Sequence, residues 1–350
     1  MPSSGGDWKR AEDAPALSRC NSPWEIGGVS PAPDGGVIDW LLDRPEPALR
    51  YLTACNVLGE RPDYVPQDIL AGRLVSGLLE GQQDDGGFGV HPYRKWTGAF
   101  WRLVSLAELS APGDHPGVRA TVNHVLDWLT GPARHTRDRV VDGLTRHCAS
   151  QDGLGLAAVC RLGYAADPRA EQLARWLVTW QWPDGGWNCD VNASGQRSSF
   201  HETHGPIEGL AAYAHVTGAD WAAASADAAI ELILAHQVIR PMHPTQGTDV
   251  LHPDMLLLRY PPYWHYGLLR GLVVLARTSR IQDPRTRDAL NMLQARRGTN
   301  GRWQTNGAWW RRPGSKGSNV EAVDWGHRDD NPMLTLQALL VLRAAQQLDL

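Results

Sequence analysis

Lysine and cysteine are both scarce in this chain of 350 residues, and long apolar runs are missing. With three lysines, a net charge of -4 and no basic stripe, the chain is not expected to bind nucleic acid. Because no run of about 18 apolar residues occurs, no membrane span is predicted. The five cysteines show no CxxC spacing, which favours reduced thiols in a cytoplasmic protein over a disulfide framework.

The first 33 residues differ in composition from the rest of the chain. They are rich in Ser, Gly, Pro and charged residues, and they lack an apolar stretch long enough for a secretory signal. No similar linker or charge block interrupts the later sequence. The sequence therefore predicts a flexible arm at residues 1–33 and one domain at residues 34–350, and it leaves the oligomeric state open.

Two stretches, residues 82–88 and 181–187, share a pattern of Gln, two variable residues, Asp-Gly-Gly and an aromatic residue. A looser third copy begins at Gln294 and ends at residues 300–303, with three extra residues before the turn. The glycines permit the left-handed turn that ends a helix, and the aromatic ring can pack back across it. Such repetition predicts helical hairpins that bury their apolar faces by stacking on one another.

These turns resemble the QW repeats of squalene-hopene cyclases and the related turns of protein prenyltransferase β subunits. Residues 185–190, 198–203 and 261–266 are similar to a bacterial branch of prenyltransferase and squalene-oxidase repeat proteins. The resemblance covers residues 37 to 345, and it implies a terpenoid cyclase/prenyltransferase-like α/α toroid.

Apolar spacing divides the expected helices into two kinds. One kind carries a one-sided apolar stripe that suits an outer ring, and it covers residues 65–81, 115–130, 167–181, 220–236 and 283–294. The other kind is an inner helix, in most cases apolar almost all round, and it covers residues 45–58, 97–109, 153–163, 206–216, 267–276 and 333–345. The alternation predicts an all-α fold, a six-hairpin α/α barrel of inner helices sheathed by outer ones.

Every inner helix of such a barrel begins at the same face, so the residues at the helix starts should converge on one cavity mouth. Side chains expected to act as acids or bases are His201, Glu202, His265, Tyr266, Asp329 and Asp330. The side chains expected to bind substrate are Arg50, Tyr51, Trp96, Trp101, Phe200, Tyr263 and Trp264. The aromatic rings among them are expected to stabilise a carbocation through their π faces.

Plainer interpretations of these residues stay open. Asp329 and Asp330 precede Pro332 and can serve as a helix cap. Residues 263–266 can act as a staple between repeats, and 16 tryptophans provide many such rings. Cys148 and Cys160 have the character of small core residues.

A metal site is the alternative for the segment from Cys189 to His204. Cys189, Asp190, His201 and His204 fall within 16 residues, and zinc could take ligands from this set. Ordinary capping and hydrogen bonding account for the same residues without a metal. The sequence therefore predicts no cofactor, with zinc as the alternative.

The resemblance implies an isoprenoid-processing enzyme, a terpenoid-type cyclase or isomerase acting on a small apolar polyene or epoxide in a central cavity. No DxDD motif, which squalene-hopene cyclases use as their proton donor, occurs in the sequence. The alternatives are a carbohydrate-active lyase or hydrolase on an α/α toroid, a zinc-dependent prenyltransferase, and a non-catalytic binding protein. A closed apolar pocket would favour a terpenoid, and an open groove would favour a sugar.

Overall fold

The computed structural model describes residues 34–60, 65–135, 138–192, 194–242, 249–326 and 331–348. The predicted arm at residues 1–33 and the predicted acids Asp329 and Asp330 lie outside these ranges. Within them the chain is mostly helical, and no helix combines the length and the apolar character needed to cross a bilayer.

The elements follow one another as helices broken by a single described hairpin of two short strands. In chain order they are α1 (Gly35–Leu42), α2 (Pro47–Thr53) with a π-helical continuation (Ala54–Leu58), α3 (Asp68–Ala71), α4 (Arg73–Leu79), α5 (Ala99–Glu108), α6 (Pro116–Thr130), α7 (Pro132–His135), β1 (Arg139–Val141), β2 (Leu144–Arg146), α8 (Ala149–Arg161), α9 (Pro168–Trp180), α10 (Phe200–Thr217), α11 (Asp220–Ala235), α12 (Leu268–Arg277), α13 (Arg287–Gln294) and α14 (Pro332–Ala344). Short 3-10 turns occur at Pro253–Leu256 and Pro284–Thr286.

Every helical segment predicted from apolar spacing contains a helix, but several bounds differ. The outer segment at 65–81 is split between α3 and α4 at Gly72, whose backbone is extended. Helix α8 begins at Ala149 instead of residue 153, and α10 begins at Phe200 instead of residue 206. Pro206 therefore lies inside α10 and does not open it.

The inner helices pack in sequence around the molecule. Helices α5, α8, α10, α12 and α14 each contact the next, and α14 contacts α2 with its π-helical continuation. The circuit returns from α2 to α5 through α3 and α4. On the outside, α6, α9, α11 and α13 each contact one or more of α5, α8, α10 and α12. The described helices thus form two layers, and the starts of α5, α10 and α12 bear most of the predicted site residues.

The repeat turns share one hydrogen-bonding scheme. Gln82 and Gln181 each donate through Nε2 to the carbonyl of the glycine four residues later, at 3.3 and 2.7 Å. In the third copy Arg297 donates through Nε to the Gly301 carbonyl at 2.9 Å. The third turn thus has a comparable bond, but Arg297, and not Gln294, takes the role of the glutamine.

The aromatic residues of the second and third turns anchor them in the same way. Trp187 donates its indole N–H to the Leu177 carbonyl at 2.8 Å, and Trp303 donates to the Leu293 carbonyl at 2.8 Å. Both rings are almost fully buried. Each turn is therefore bonded to the outer helix ten residues before it, which fixes where the following inner helix starts.

A buried ion cluster lies between four inner helices. Arg161 of α8 and Arg277 of α12 both pair with Glu108 of α5, at 2.7 and 2.6 Å, and with Glu208 of α10, at 2.5 and 2.8 Å. Arg270 adds a third bond to Glu208 at 2.5 Å. Burial tends to raise the pKa of Glu108, but Arg277 and Arg161 outweigh it and hold that pKa at about 2. Both carboxylates are therefore charged, and they fill space where an apolar cavity was expected.

The cysteines differ from the expectation of five reduced thiols. Cys148, Cys160 and Cys189 are free, whereas Cys55, at the end of the first inner helix, is disulfide-bonded. The absence of CxxC spacing could not reveal this bond, because disulfides join residues that are distant in sequence.

Candidate active site

A half-open cleft of about 680 Å³ lies beside the start of helix α8. We call it the thiol cleft, because two free cysteines line it. Aromatic, charged and sulfur-bearing side chains line it together. The residues that define it are Tyr93, Trp128, Arg134, Arg146, His147, Cys148, Gln151 and Cys189.

Two thiols and a carboxylate meet at the base of the thiol cleft. Cys148 caps the start of α8, Cys189 follows the second repeat turn, and Glu202 lies in the first turn of α10. The Cys189 thiol donates to Glu202 Oε1 at 3.3 Å, and the Ser150 N–H donates to Glu202 Oε2 at 2.9 Å. Their sulfur and oxygen atoms all lie within 4.8 Å of one another.

This group has strongly perturbed acidities. A hydrogen bond from Cys189 lowers the pKa of the Cys148 thiol, against the effect of burial, and the His147 charge lowers it further. The same bond raises the pKa of Cys189, and burial raises the pKa of Glu202. Perturbed groups beside a cleft are typical of reactive sites. Cys148 was interpreted from the sequence as a core residue, and that interpretation is wrong.

His147 is a fixed cation and not a base. Its Nδ1 bonds Asp138 at 2.7 Å, and its Nε2 bonds the fully buried Asp152. Burial acts against the charge, but Asp152 outweighs it, so the pKa of His147 is raised to about 9. Arg134 also holds Asp152, at 2.8 Å. With both ring nitrogens bonded, the imidazole is locked in place.

Arg146 is buried in the wall of the thiol cleft, and no carboxylate of the described ranges pairs with it. The residue is 2% exposed, and its Nη1 donates to the Gly195 carbonyl at 2.6 Å. Its guanidinium lies 4.4 Å from the centroid of the Trp182 ring. Among the described residues, its Nε and Nη2 have no hydrogen-bond partner. A buried charge that is not paired is expensive, so this one is a ready site for an anion.

Three predicted residues meet in a stack at the starts of α10 and α12. His265 lies parallel between Trp264 and Trp309, with ring centroids 3.8 and 3.7 Å away. His201 meets Trp264 edge-on at 5.6 Å and accepts the Tyr266 N–H at 2.9 Å. Burial lowers the pKa of both histidines, to about 4 for His265. Both rings are therefore neutral at neutral pH.

The large predicted rings have faces that are already occupied. Trp96 stacks on Tyr263 with centroids 3.5 Å apart, and Trp101 meets both rings edge-on. The Lys95 ammonium lies 5.5 Å from Trp96 and 5.2 Å from Trp264. Because these faces already contact protein groups, their arrangement supports the interpretation as a staple between repeats.

The remaining predicted residues take structural positions. Tyr266 is buried and donates its hydroxyl to the Val238 carbonyl at 2.8 Å, so it has no proton free for substrate. Arg50 pairs with Asp68 at 3.5 Å, and Tyr51 is buried in the core. Phe200 packs edge-on against His236 with centroids 5.0 Å apart.

The predicted metal set is not assembled. Asp190 is exposed, and His204 is fully buried with its Nε2 bonded to the Trp264 carbonyl at 3.2 Å and its Nδ1 accepting from Arg270 at 3.3 Å. Burial and the Arg270 charge lower the pKa of His204 to about 3. Within the described ranges the cluster with metal-ligating spacing is Cys148, Cys189 and Glu202. Of the predicted set, only Cys189 belongs to it.

No family model matches the chain, and no curated protein matches it in sequence. Among solved structures, a protein from Actinoplanes shares 17% identity over 91% of this chain and 91% of its own, with a TM-score of 0.39. The type II terpene cyclase MstE from Scytonema shares 14% identity over 79% of this chain and 97% of its own, with a TM-score of 0.29. An MstE variant in complex with merosterolic acid A, its product, covers 79% of this chain and 96% of its own, with 14% identity and a TM-score of 0.26. These identities and TM-scores are too low for the likeness to support a conclusion about this chain.

Proposed function

We propose that this chain is an isoprenoid-processing enzyme with an α/α toroid fold, and that its substrate lies in the thiol cleft. The circuit of inner helices, the outer layer and the three matching repeat turns support the toroid. The resemblance of these turns to those of cyclases and prenyltransferases supports the substrate class. The proposed reaction is of the cyclase or isomerase type.

The observation that carries this assignment to the thiol cleft is the unpaired guanidinium of Arg146. Two of its nitrogens are buried without a hydrogen-bond partner, so a substrate anion would gain two charge-assisted bonds there. A purely apolar polyene would leave this charge uncompensated. We therefore propose an isoprenoid that carries an anionic group.

The rest of the thiol cleft suits the other end of such a molecule. Tyr93 and Trp128 are half-buried, with centroids 6.2 Å apart. The Arg134 guanidinium covers part of the Trp128 ring at 4.9 Å from its centroid, so the remaining ring surface is what the cleft offers to a prenyl chain. The ion cluster around Glu208 occupies space between the inner helices, which disfavours a central position for the chain. Among the predicted acid–base residues, Glu202 lies nearest to this site through its bond to Cys189.

Matched ligands test the assignment. We expect geranylgeranyl diphosphate to bind more tightly than geranylgeraniol, because only the diphosphate can pair with Arg146. The substitution Arg146→Met should weaken diphosphate binding by about 10- to 100-fold. This is the loss of affinity expected when hydrogen bonds to a charged group are removed. Binding of the alcohol should not change. Titration calorimetry measures both affinities, and mass spectrometry of the incubated ligand detects turnover.

Arg175→Met provides the control, since Arg175 forms an exposed pair with Glu171 on helix α9. It should bind both ligands as the unaltered protein does. Equal binding of diphosphate and alcohol by the unaltered protein would contradict the assignment.

A carbohydrate-active enzyme is the second candidate, favoured by the shape of the site. The thiol cleft is half-open, as expected for a groove that binds a sugar chain, and aromatic and charged side chains line it together. Arg146 would then bind the carboxylate of an acidic sugar. Binding of uronate oligosaccharides, with no binding of prenyl diphosphates, would select this candidate.

A further inference from the structure

The three side chains at the base of the thiol cleft form a set of metal ligands that the sequence did not identify. Cys148, Cys189 and Glu202 present two sulfurs and a carboxylate oxygen within 4.8 Å of one another. We propose that they bind one zinc ion, with the fourth coordination position open to the thiol cleft. The inference rests on these side chains alone and does not require an isoprenoid substrate.

The spacing of the ligand atoms fits a tetrahedral ion. Zinc–sulfur bonds of about 2.3 Å place two sulfurs on one tetrahedral zinc about 3.8 Å apart. No two of the three atoms are more than 4.8 Å apart, and Cys189 Sγ and Glu202 Oε1 are 3.3 Å apart, so the separations are close to those that one ion requires. Rotation of the two cysteine side chains, which line an open cleft, is enough to close the remaining difference.

The backbone brings the two cysteines together before any ion binds. His147, which precedes Cys148, donates its N–H to the carbonyl of Asn188, which precedes Cys189, at 3.3 Å. The residues before the cysteines thus pair across two chain segments. The Ser150 N–H holds Glu202 Oε2 at 2.9 Å, which leaves Oε1 directed at the Cys189 thiol. Hydrogen bonds of this kind orient metal ligands in proteins.

The chemistry of the set selects the metal. Thiolates are soft ligands that favour zinc over magnesium or calcium. When zinc binds, both thiols lose their protons to solvent, and the thiolates with the carboxylate then carry three negative charges against two on the ion. The cations His147 and Arg134 lie near the thiols but are themselves paired with Asp138 and Asp152, so the complex keeps one negative charge.

The open position gives the ion a chemical role. Three protein ligands with one position left for water or substrate are typical of catalytic zinc, whereas structural sites use four protein ligands. Cys148 and Cys189 both line the thiol cleft, so a group bound there can reach the fourth position. The chemistry supplied would be polarisation of a bound oxygen.

Metal analysis tests the inference. Protein purified under reducing conditions and incubated with zinc should retain about one equivalent after gel filtration, measured by mass spectrometry of the metal. Cobalt(II) in its place should give the near-ultraviolet absorption of a thiolate–cobalt bond. Cys148→Ser and Cys189→Ser should each lose the metal and this absorption. Cys160→Ser is the control, because Cys160 is free and fully buried in helix α8 away from the set.

Glu202→Gln keeps the test decisive if the serine variants do not fold. It should weaken zinc binding by about 10- to 100-fold and leave the cobalt–thiolate absorption in place at high cobalt. Failure of the unaltered protein to retain zinc, retention by both serine variants, or a Cys148–Cys189 disulfide in the reduced preparation would overturn the inference. Zinc bound without binding of prenyl diphosphates would overturn only the proposed function.

Discussion

Single charged residues in this protein are buried in two contrasting ways. Glu208 is 3% exposed and bonds three arginines, so its charge is fully compensated. Arg146 is 2% exposed, and within the described part of the chain it contacts a carbonyl oxygen and the face of a ring but no carboxylate. The first arrangement is typical of a structural ion cluster, and the second is typical of a binding site. Neither could be predicted from the sequence, because the partners lie on other segments of the chain.

Removal of one charge from the ion cluster tests its structural role. Glu208→Gln leaves Arg161, Arg270 and Arg277 around a neutral side chain, so two or more guanidinium charges lose a partner. We expect the free energy of unfolding to fall by about 3–5 kcal/mol. Urea denaturation followed by circular dichroism measures it.

Glu231→Gln is the matched control for this substitution. Glu231 pairs with Arg285 at 2.9 Å, but its side chain is 63% exposed, and surface pairs contribute about 1 kcal/mol or less. Similar losses from both substitutions would show that the buried cluster does not hold the inner helices together.

At the scale of elements, the hydrophobic pattern located the helices well and their starts less well. Residues 149–152 and 200–205 include polar side chains, so the apolar pattern placed the beginnings of α8 and α10 too late. Several of these side chains are nevertheless buried, because Asp152, Glu202 and His204 bond to partners on other segments. The hairpin of β1 and β2 was missed, although Asp142 and Gly143 give its turn a clear signature with positive φ at both residues.

The repeat turn depends on glycine at one position, which substitution can test. Gly185 has φ +94°, and a Cβ there would lie 2.4 Å from the Ala228 carbonyl oxygen of helix α11. Gly185→Ala should therefore destabilise the fold by more than the roughly 1 kcal/mol that a left-handed alanine alone costs. Gly218→Ala is the control, with φ +71° and no atom within 4 Å. Equal urea midpoints for the two variants would show that the close approach to α11 does not matter.

At the scale of the whole molecule, the sequence predicted the helical class and the alternation of inner and outer helices, while the predicted site at the starts of the inner helices stays a prediction. It did not predict which of these residues meet. Cys148, Cys189 and Glu202 come from three separate segments, and no spacing rule links them. The ion cluster disfavours the expected central cavity. The cluster could not be predicted, because Glu108 and Arg161 lie in segments that look ordinary in sequence. The same packing leaves a cleft at the side of the inner layer instead.

The location of bound substrate tests the account most directly. A crystal structure of the protein with a non-hydrolysable geranylgeranyl diphosphate analogue should show the diphosphate within hydrogen-bonding distance of Arg146. The prenyl chain should run along Tyr93 and Trp128. A ligand bound elsewhere on the molecule, with the thiol cleft filled only by water, would contradict the central claim that this cleft is the active site.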